Sequence, residues 1–255
     1  MSDIKVSIIA AAVRVPFYKT FMDSLKGTSV KYEVVFCGHN TPEEVAETLA
    51  AYPEFRYIHT AKIKPAQAYE VSRREAKGET ILWAADDCVF TPDLIGKAFQ
   101  FWQEIGNYKD ILSIQTLENG MFVNMHVHSF FGGRYETPLM APLGLMSRQY
   151  MEDLGGFDRR FLCGQYENFA VMQAIAAGSK VHIFGDKDNL IIIDHYARHG
   201  IKRPFATGYN HDREILESCW TDGRGNVLPQ LRKPLEPYED KDILTKSQSF
   251  KGQWI

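Results

Sequence analysis

Cysteine is scarce in this chain of 255 residues: Cys37, Cys88, Cys163 and Cys219 lie far apart, with no Cys-x-x-Cys pair. That spacing gives neither a disulfide framework nor a zinc-ligand set, so free thiols in a reducing compartment are expected. An excess of one charge is also missing. The 29 Lys and Arg against 32 Asp and Glu leave a formal net charge of −3, which argues against broad, sequence-independent nucleic-acid binding because that needs a basic face. Local basic patches stay compatible with it. No apolar run approaches the ~18 residues of a membrane span. The opening MSDIKVSIIAAAVRVPFYK has neither the basic lead nor the long apolar run of a secretory signal, so the expectation is a cytoplasmic protein. Internal repeats and low-complexity blocks are absent too.

What is present is an alternation. Ile4 to Ala12, Lys31 to Cys37, Phe55 to Thr60 and Ile81 to Ala85 are short apolar runs of the kind buried on both faces of a sheet. Between them lie helical stretches: Val15 to Leu25, Thr41-Pro42-Glu43-Glu44 onward to about Ala51, and Lys64-Pro65 through Ala76. This order predicts an α/β fold with a mostly parallel, doubly wound sheet, right-handed crossovers and helices on both faces. Thr91-Pro92-Asp93 reads as N-cap, N1 proline and first-turn acid of a further helix.

The second half is less regular. Ile111 to Leu117 is expected as a strand, and Met121 to Phe131 carries a Val-x-Met-x-Val alternation that fits an edge or antiparallel strand, so a small antiparallel element is expected. His126 and His128 share one face of that strand. Ser147 to Leu154 and Glu167 to Ala177 read as helices, Val181 to Phe184 and Leu190 to Ile193 as strands. From Arg198 the chain turns polar and proline-bearing, with one helical candidate at Asp212 to Cys219. Residues 1–197 are therefore expected as the main domain, and 198–255 as an extension that acts as a lid, a docking arm or a surface wrap on the same domain.

Asp86 and Asp87 stand directly after the Ile81 to Ala85 run, at the sheet edge where open α/β sheets bind ligands. Two adjacent ionised carboxylates repel, so a site that holds them together contains a cation or raises one pKa. A hard divalent ion is the simplest answer.

Three separated segments resemble the family-two glycosyltransferases of the GT-A fold. VSIIAAAVRVPFYKTFMDSL resembles the opening strand and helix of that family. KPAQAYEVSRREAKGETILWAADDCVFTPDLI resembles the stretch from its donor-site helix to its acidic metal motif, and LGGFDRRFLCGQYENFAVMQAIAAG its acceptor-side segment. The resemblance implies a GT-A fold and transfer of a sugar from a nucleoside-diphosphate sugar, with uridine diphosphate as the carrier and inversion at the anomeric carbon. It places donor contacts at Ala10, Ala12, Arg14, His39, Asn40, Lys64, Gln67 and Asp86. Asp87 becomes the metal ligand and Asp86 a partner of the ribose or of a metal-bound water. Acceptor contacts fall at Gly156, Asp158 and Tyr166, and Asp158 either meets the acceptor or fixes the turn. The chain departs from the pattern at Ala85, where the family has its first acid, at Cys37-Gly38-His39-Asn40, where relatives carry acids, and at Tyr166-Glu167-Asn168, which keeps one carboxylate of a pair.

The chemistry implied is specific. A manganese or magnesium ion at Asp87 would neutralise charge on the departing diphosphate. His195 either adds a second ligand, which manganese tolerates better than magnesium, or makes a structural bond to Asp194. Arg198 and Lys202, with His199 and Arg203, either bind the diphosphate or form an exposed basic loop. Glu167 is the candidate base for the acceptor hydroxyl, and its place at a helix N-terminus is expected to lower its pKa. A nucleotide-sugar-binding protein that has lost turnover is the alternative. A nucleotidyltransferase is disfavoured because Ala10 to Arg14 contains no glycine. The acceptor class stays open among a saccharide, a protein, a lipid-linked sugar and a modified DNA base, and so does the oligomeric state.

Overall fold

The computed structural model describes residues 3–60, 63–122, 129–130, 135–136, 141–158, 160–194 and 209–220. In chain order the elements are β1 (Val6–Ala11), a 3-10 turn (Val15–Phe17), α1 (Tyr18–Ser24), β2 (Tyr32–Gly38), α2 (Pro42–Ala51), β3 (Phe55–His59), α3 (Pro65–Glu75) and β4 (Thr80–Trp83). Then come β5 (Val89–Phe90), α4 (Leu94–Ile105), β6 (Ile111–Ile114), β7 (Thr116–Glu118), β8 (Met121–Phe122), β9 (Ser129–Phe130), β10 (Tyr135–Glu136) and β11 (Gly144–Ser147). The last are α5 (Arg148–Asp153), α6 (Tyr166–Ala176), β12 (Val181–Phe184), β13 (Ile191–Ile193) and α7 (Tyr209–Trp220).

The main sheet has seven strands in the order β12-β6-β11-β4-β1-β2-β3. It is parallel except for β11, which runs antiparallel to both β4 and β6. The central strands are as apolar as their burial requires: Val6, Ile8, Ile9, Val34, Val35, Ile81 and Leu82 are fully buried, and each such side chain contributes roughly 1.5–3 kcal/mol by leaving water. The chain steps outward through β1, β2 and β3, then returns to pair β4 against the other side of β1. By the right-handed crossover rule that reversal puts α1 and α2 on one face and α3 on the other. It also makes the carboxyl ends of β1 and β4 the topological switch point, where a ligand crevice opens.

Helix starts follow their local chemistry in two cases and depart from it in one. Thr41 Oγ1 accepts from the Glu44 amide while the Glu44 carboxylate accepts from the Thr41 amide, a complete capping box for α2. At α3, Pro65 occupies the first turn and Gln67 Oε1 accepts from the Lys64 amide at 3.3 Å. The expected cap at Thr91 is a correction. Thr91 instead exchanges hydrogen bonds with the Leu190 backbone, and α4 begins three residues later behind Asp93, whose left-handed backbone (φ 55°) lets its carboxylate accept from the Ser29 amide and hydroxyl. Long-range partners outbid the local signal there.

The single strand expected over Ile111 to Leu117 is two strands. Gln115 lies between them, its amide donating to Phe184 of β12 and its carbonyl accepting from Ile191 of β13, so the chain leaves the main sheet for a second one. That smaller sheet runs β5-β13-β7-β8 and is antiparallel except for the β7–β13 pair. The continuous strand expected over Met121 to Phe131 is described only at β8 and β9, and His126 and His128 lie outside the described residues. Trp83 and Trp102 are core residues whose indoles donate to Ala141 O and Asp110 O. Among the described residues no helix is long and apolar enough to cross a membrane.

Candidate functional site

Arg14, just past β1, and Asp86 and Asp87, just past β4, meet at the switch point. Asp86 is fully buried, and each oxygen is engaged: Oδ2 accepts from the amides of Val13 and Arg14 at 2.8 and 2.9 Å, while Oδ1 takes Nε of Arg14 at 2.6 Å and also its Nη2. The same Nη2 lies 3.0 Å from Asp87 Oδ1. Burial disfavours the Arg14 cation, yet the two carboxylates more than offset it and raise its pKa. The repulsion expected between the two acids is therefore relieved by a cation of the chain itself. In this structure Asp86 joins the ends of β1 and β4.

Asp87 is the outward member, 7% exposed. Among the described residues no three His, Cys, Asp or Glu side chains converge as a metal site. A single carboxylate nevertheless suits a magnesium- or manganese-type ion, which is bound through one or two carboxylates plus substrate phosphates rather than in an all-protein cage. His195, Arg198 and Lys202 lie outside the described residues.

Several expected donor contacts are internal. Ala10 and Ala12 are fully buried, Ala10 in register beside Phe36 and Ala12 bonded through its amide to Cys37 O and through its carbonyl to the Tyr57 hydroxyl. Asn40 is buried and braces the turn after β2. Its side-chain amide donates to the Tyr18 hydroxyl, its backbone amide to the Tyr57 hydroxyl, and its carbonyl accepts from His59 Nδ1. Gly38 must be glycine because a Cβ there would collide with the Ala12 carbonyl. His39 and Lys64 are exposed and Gln67 is partly so.

The acceptor-side segment is built on α3. Glu70, 1% exposed, accepts from Arg73 at 2.8 Å twice, from Arg74 Nε at 2.7 Å and from the Phe157 amide at 3.0 Å. Gly156 sits at φ +72°, where a Cβ would fall on the Glu70 carboxylate. Asp158 fixes the turn, accepting the Arg160 amide and its guanidinium between 2.6 and 3.1 Å. Of the two readings of Asp158, these bonds are those of a residue that fixes the turn. Tyr166 packs its ring 5.0 Å from Tyr69 and 5.7 Å from Phe157.

Tyr69 ties the two halves of the site together. Its hydroxyl donates to Ala84 O, two residues before Asp86, and its ring lies on Tyr166, the residue before Glu167. Burial pushes its hydroxyl pKa far up, and the charges of Asp86, Cys88 and Glu167 add to that. Tyr69 thus touches the strand exit that carries Asp86 and Asp87 and the helix start that carries Glu167.

Glu167 reverses an expectation. Burial lifts its carboxyl to about 7 and Asp212 adds to the rise, while a backbone hydrogen bond opposes it. Its Oε2 is buried and finds no hydrogen-bond partner among the described residues. The favourable field of the α6 N-terminus, worth ~0.3–1 kcal/mol, loses to desolvation. The residue that sequence reading passed over is Asp212, fully buried on α7. It accepts the amides of Leu162, Cys163 and Gly164 at 2.7, 2.7 and 2.8 Å. Burial pushes its pKa up, but those amides and His211 prevail and hold it below the usual carboxylate range. No local pattern signals this contact, because its partners lie some fifty positions upstream.

Known proteins give the arrangement a context. The fold is similar to that of TarS from S. aureus. A segment of that protein covering its residues 1–349 matches at 16% identity with a TM-score of 0.61, over 75% of this chain and 60% of that one. The same segment in complex with UDP-GlcNAc matches at 16% identity and a TM-score of 0.59, over 75% and 58%. A longer TarS structure matches at 16% identity and 0.60, over 87% of this chain and 45% of that one. The chain thus spans between 45% and 60% of the length of the TarS structures it matches. A comparison with curated protein sequences returns no match. The model of glycosyl transferase family 2 matches residues 16–163, which takes in Arg14's neighbours, the Asp86-Asp87 pair, α3 and the Gly156 turn, and more than half of the chain. On that match the chain belongs to glycosyl transferase family 2.

Proposed function

We propose that this protein is a glycosyltransferase that moves a sugar from a uridine-diphosphate sugar to an acceptor hydroxyl with inversion, using Glu167 as general base and a divalent cation beside Asp87. The observation that carries the reading is the Tyr69 bridge, which holds the carboxyl edge of β4 and the start of α6 against one another. A donor and an acceptor bound at those two edges are then neighbours. A divalent ion, when bound, supplies Lewis-acid stabilisation of the departing diphosphate, and Asp87 is the residue that would hold it. Glu167 takes the hydroxyl proton, and a base poised near 7 combines a large ionised fraction with real proton affinity. The UDP-GlcNAc complex of TarS supports a uridine diphosphate donor. Exposed His39 and Lys64 and partly exposed Gln67 are proposed as donor contacts, with Arg198 and Lys202 proposed for the diphosphate.

The test is nucleotide release from a panel of nucleotide sugars, each with manganese, magnesium or chelator. Release of UDP with a UDP-sugar and a divalent ion, lost in Asp87→Ala, is expected. Turnover unchanged in Asp87→Ala, or no release from any donor, would remove the reading. Tight nucleotide binding by calorimetry without turnover and without effect of Glu167→Gln would return a binding protein instead.

A further inference from the structure

The segment that leads into Glu167 is held from far along the chain. Leu162, Cys163 and Gly164 present three successive amides to one carboxylate, and Gln165 then adopts a left-handed backbone (φ 65°) before α6 begins. Successive amides of this kind form a nest for an anion. Here the anion is Asp212, carried on α7, and α7 is seated by Leu216, which is fully buried. Both residues lie beyond the stretch that matches the family model.

We propose that Asp212 is a positioning residue for Glu167. By clamping the Leu162 to Gly164 loop it sets where α6 starts and keeps the Glu167 carboxyl pressed into its buried site. Without the clamp the three amides would turn to water and the loop would lose its one anchor among the described hydrogen bonds to α7. This inference rests on the reading of Glu167 as base. The charged and titratable groups around Glu167 are Asp212 of α7, Tyr69 of α3, Tyr166 of its own helix and Cys163 of the clamped loop, with His211 bonded to Asp212 at 3.1 Å. Asp212 is the anion among them that a substitution removes without touching the aromatic contacts.

The experiment compares Asp212→Asn, Leu216→Ala and Glu167→Gln in the full chain. Two readouts are used: the carboxyl carbon resonance of Glu167 titrated by NMR, and UDP release from UDP-GlcNAc with manganese as a function of pH. Leu216→Ala weakens the seating of the same helix while leaving the Asp212 carboxylate in place, so it reports docking alone. In Asp212→Asn the Glu167 midpoint is expected to fall by about half a pH unit or more as a nearby anion goes and water enters. Turnover is expected to fall about tenfold or more, the cost of a misplaced base, with KM for the donor little changed. Leu216→Ala is expected to lower thermal stability and leave the Glu167 midpoint in place. An unmoved midpoint in Asp212→Asn, or the same shift in Leu216→Ala, overturns the positioning role. Wild-type turnover in Glu167→Gln defeats the base assignment itself, a result distinct from either.

Discussion

The exit of β4 and the start of α6 each present a buried carboxylate to the same tyrosine, and the chain treats the two in opposite ways. Asp86 is surrounded by two amides and a guanidinium, so its negative charge is fully answered. Glu167 has one oxygen without a partner among the described residues, and burial with the nearby Asp212 disfavours its charge, so its carboxyl rises to about 7. Two acids in such different surroundings suit a division of labour: Asp86 is tied into the fold by its donors, and Glu167 is the one proposed to exchange protons. Burial alone does not predict which is which. The density of donors does.

The contrast can be tested from both ends. Glu167→Gln preserves shape and removes the exchangeable proton, so turnover should drop about 10²–10⁴-fold, the usual contribution of a general base, as read by UDP release at saturating donor. Arg14→Met should leave Asp86 and Asp87 buried without their cation and destabilise the fold by about 3–5 kcal/mol, as breaking one partner of a buried pair does; urea unfolding measures it.

A subtler consequence concerns pH. Between about 4.5 and 7 folded Glu167 keeps a proton that the unfolded chain has released. Its contribution to stability is whole below the unfolded pKa and is lost as pH climbs through the folded one. At pH 8 Glu167→Gln should thus be more stable than the parent by about 1–3 kcal/mol, with little difference at pH 4, by thermal or urea unfolding. The parent's turnover should fall about tenfold per unit as pH drops below 7. Last, Gly156→Ala should cost about 1–2 kcal/mol for its left-handed backbone, and more where its methyl meets Glu70; equal stability of the two proteins would show that the turn relaxes freely.

Much of the β1 to β4 region was legible because its signals are local. Apolar runs of strand length, the Thr41-Pro42-Glu43-Glu44 start and the Lys64-Pro65 start all appear where expected, since capping and burial act within a few residues. The Thr91 start failed for the opposite reason. Its hydroxyl found Leu190, a residue 99 positions away, and a cap cannot compete with a partner that only the fold supplies. The strand over Ile111 to Leu117 failed likewise, since an apolar run says that a segment is buried but not in which sheet.

The same division runs through the site. Placing Asp86 and Asp87 at the carboxyl edge of a central strand, and Glu167 at the start of a helix, needed only chain order and residue type, because strand exits and helix starts are written in nearest neighbours. Their surroundings were decided by packing. Arg14 became the partner of both acids only once β1 lay beside β4, the GGFD turn was held only once Glu70 lay against it, and Glu167 was lifted towards neutrality only once folding buried it beside Asp212. A pKa is a sum over everything within a few ångströms, and those neighbours are gathered from five separate stretches of chain, which no linear pattern records.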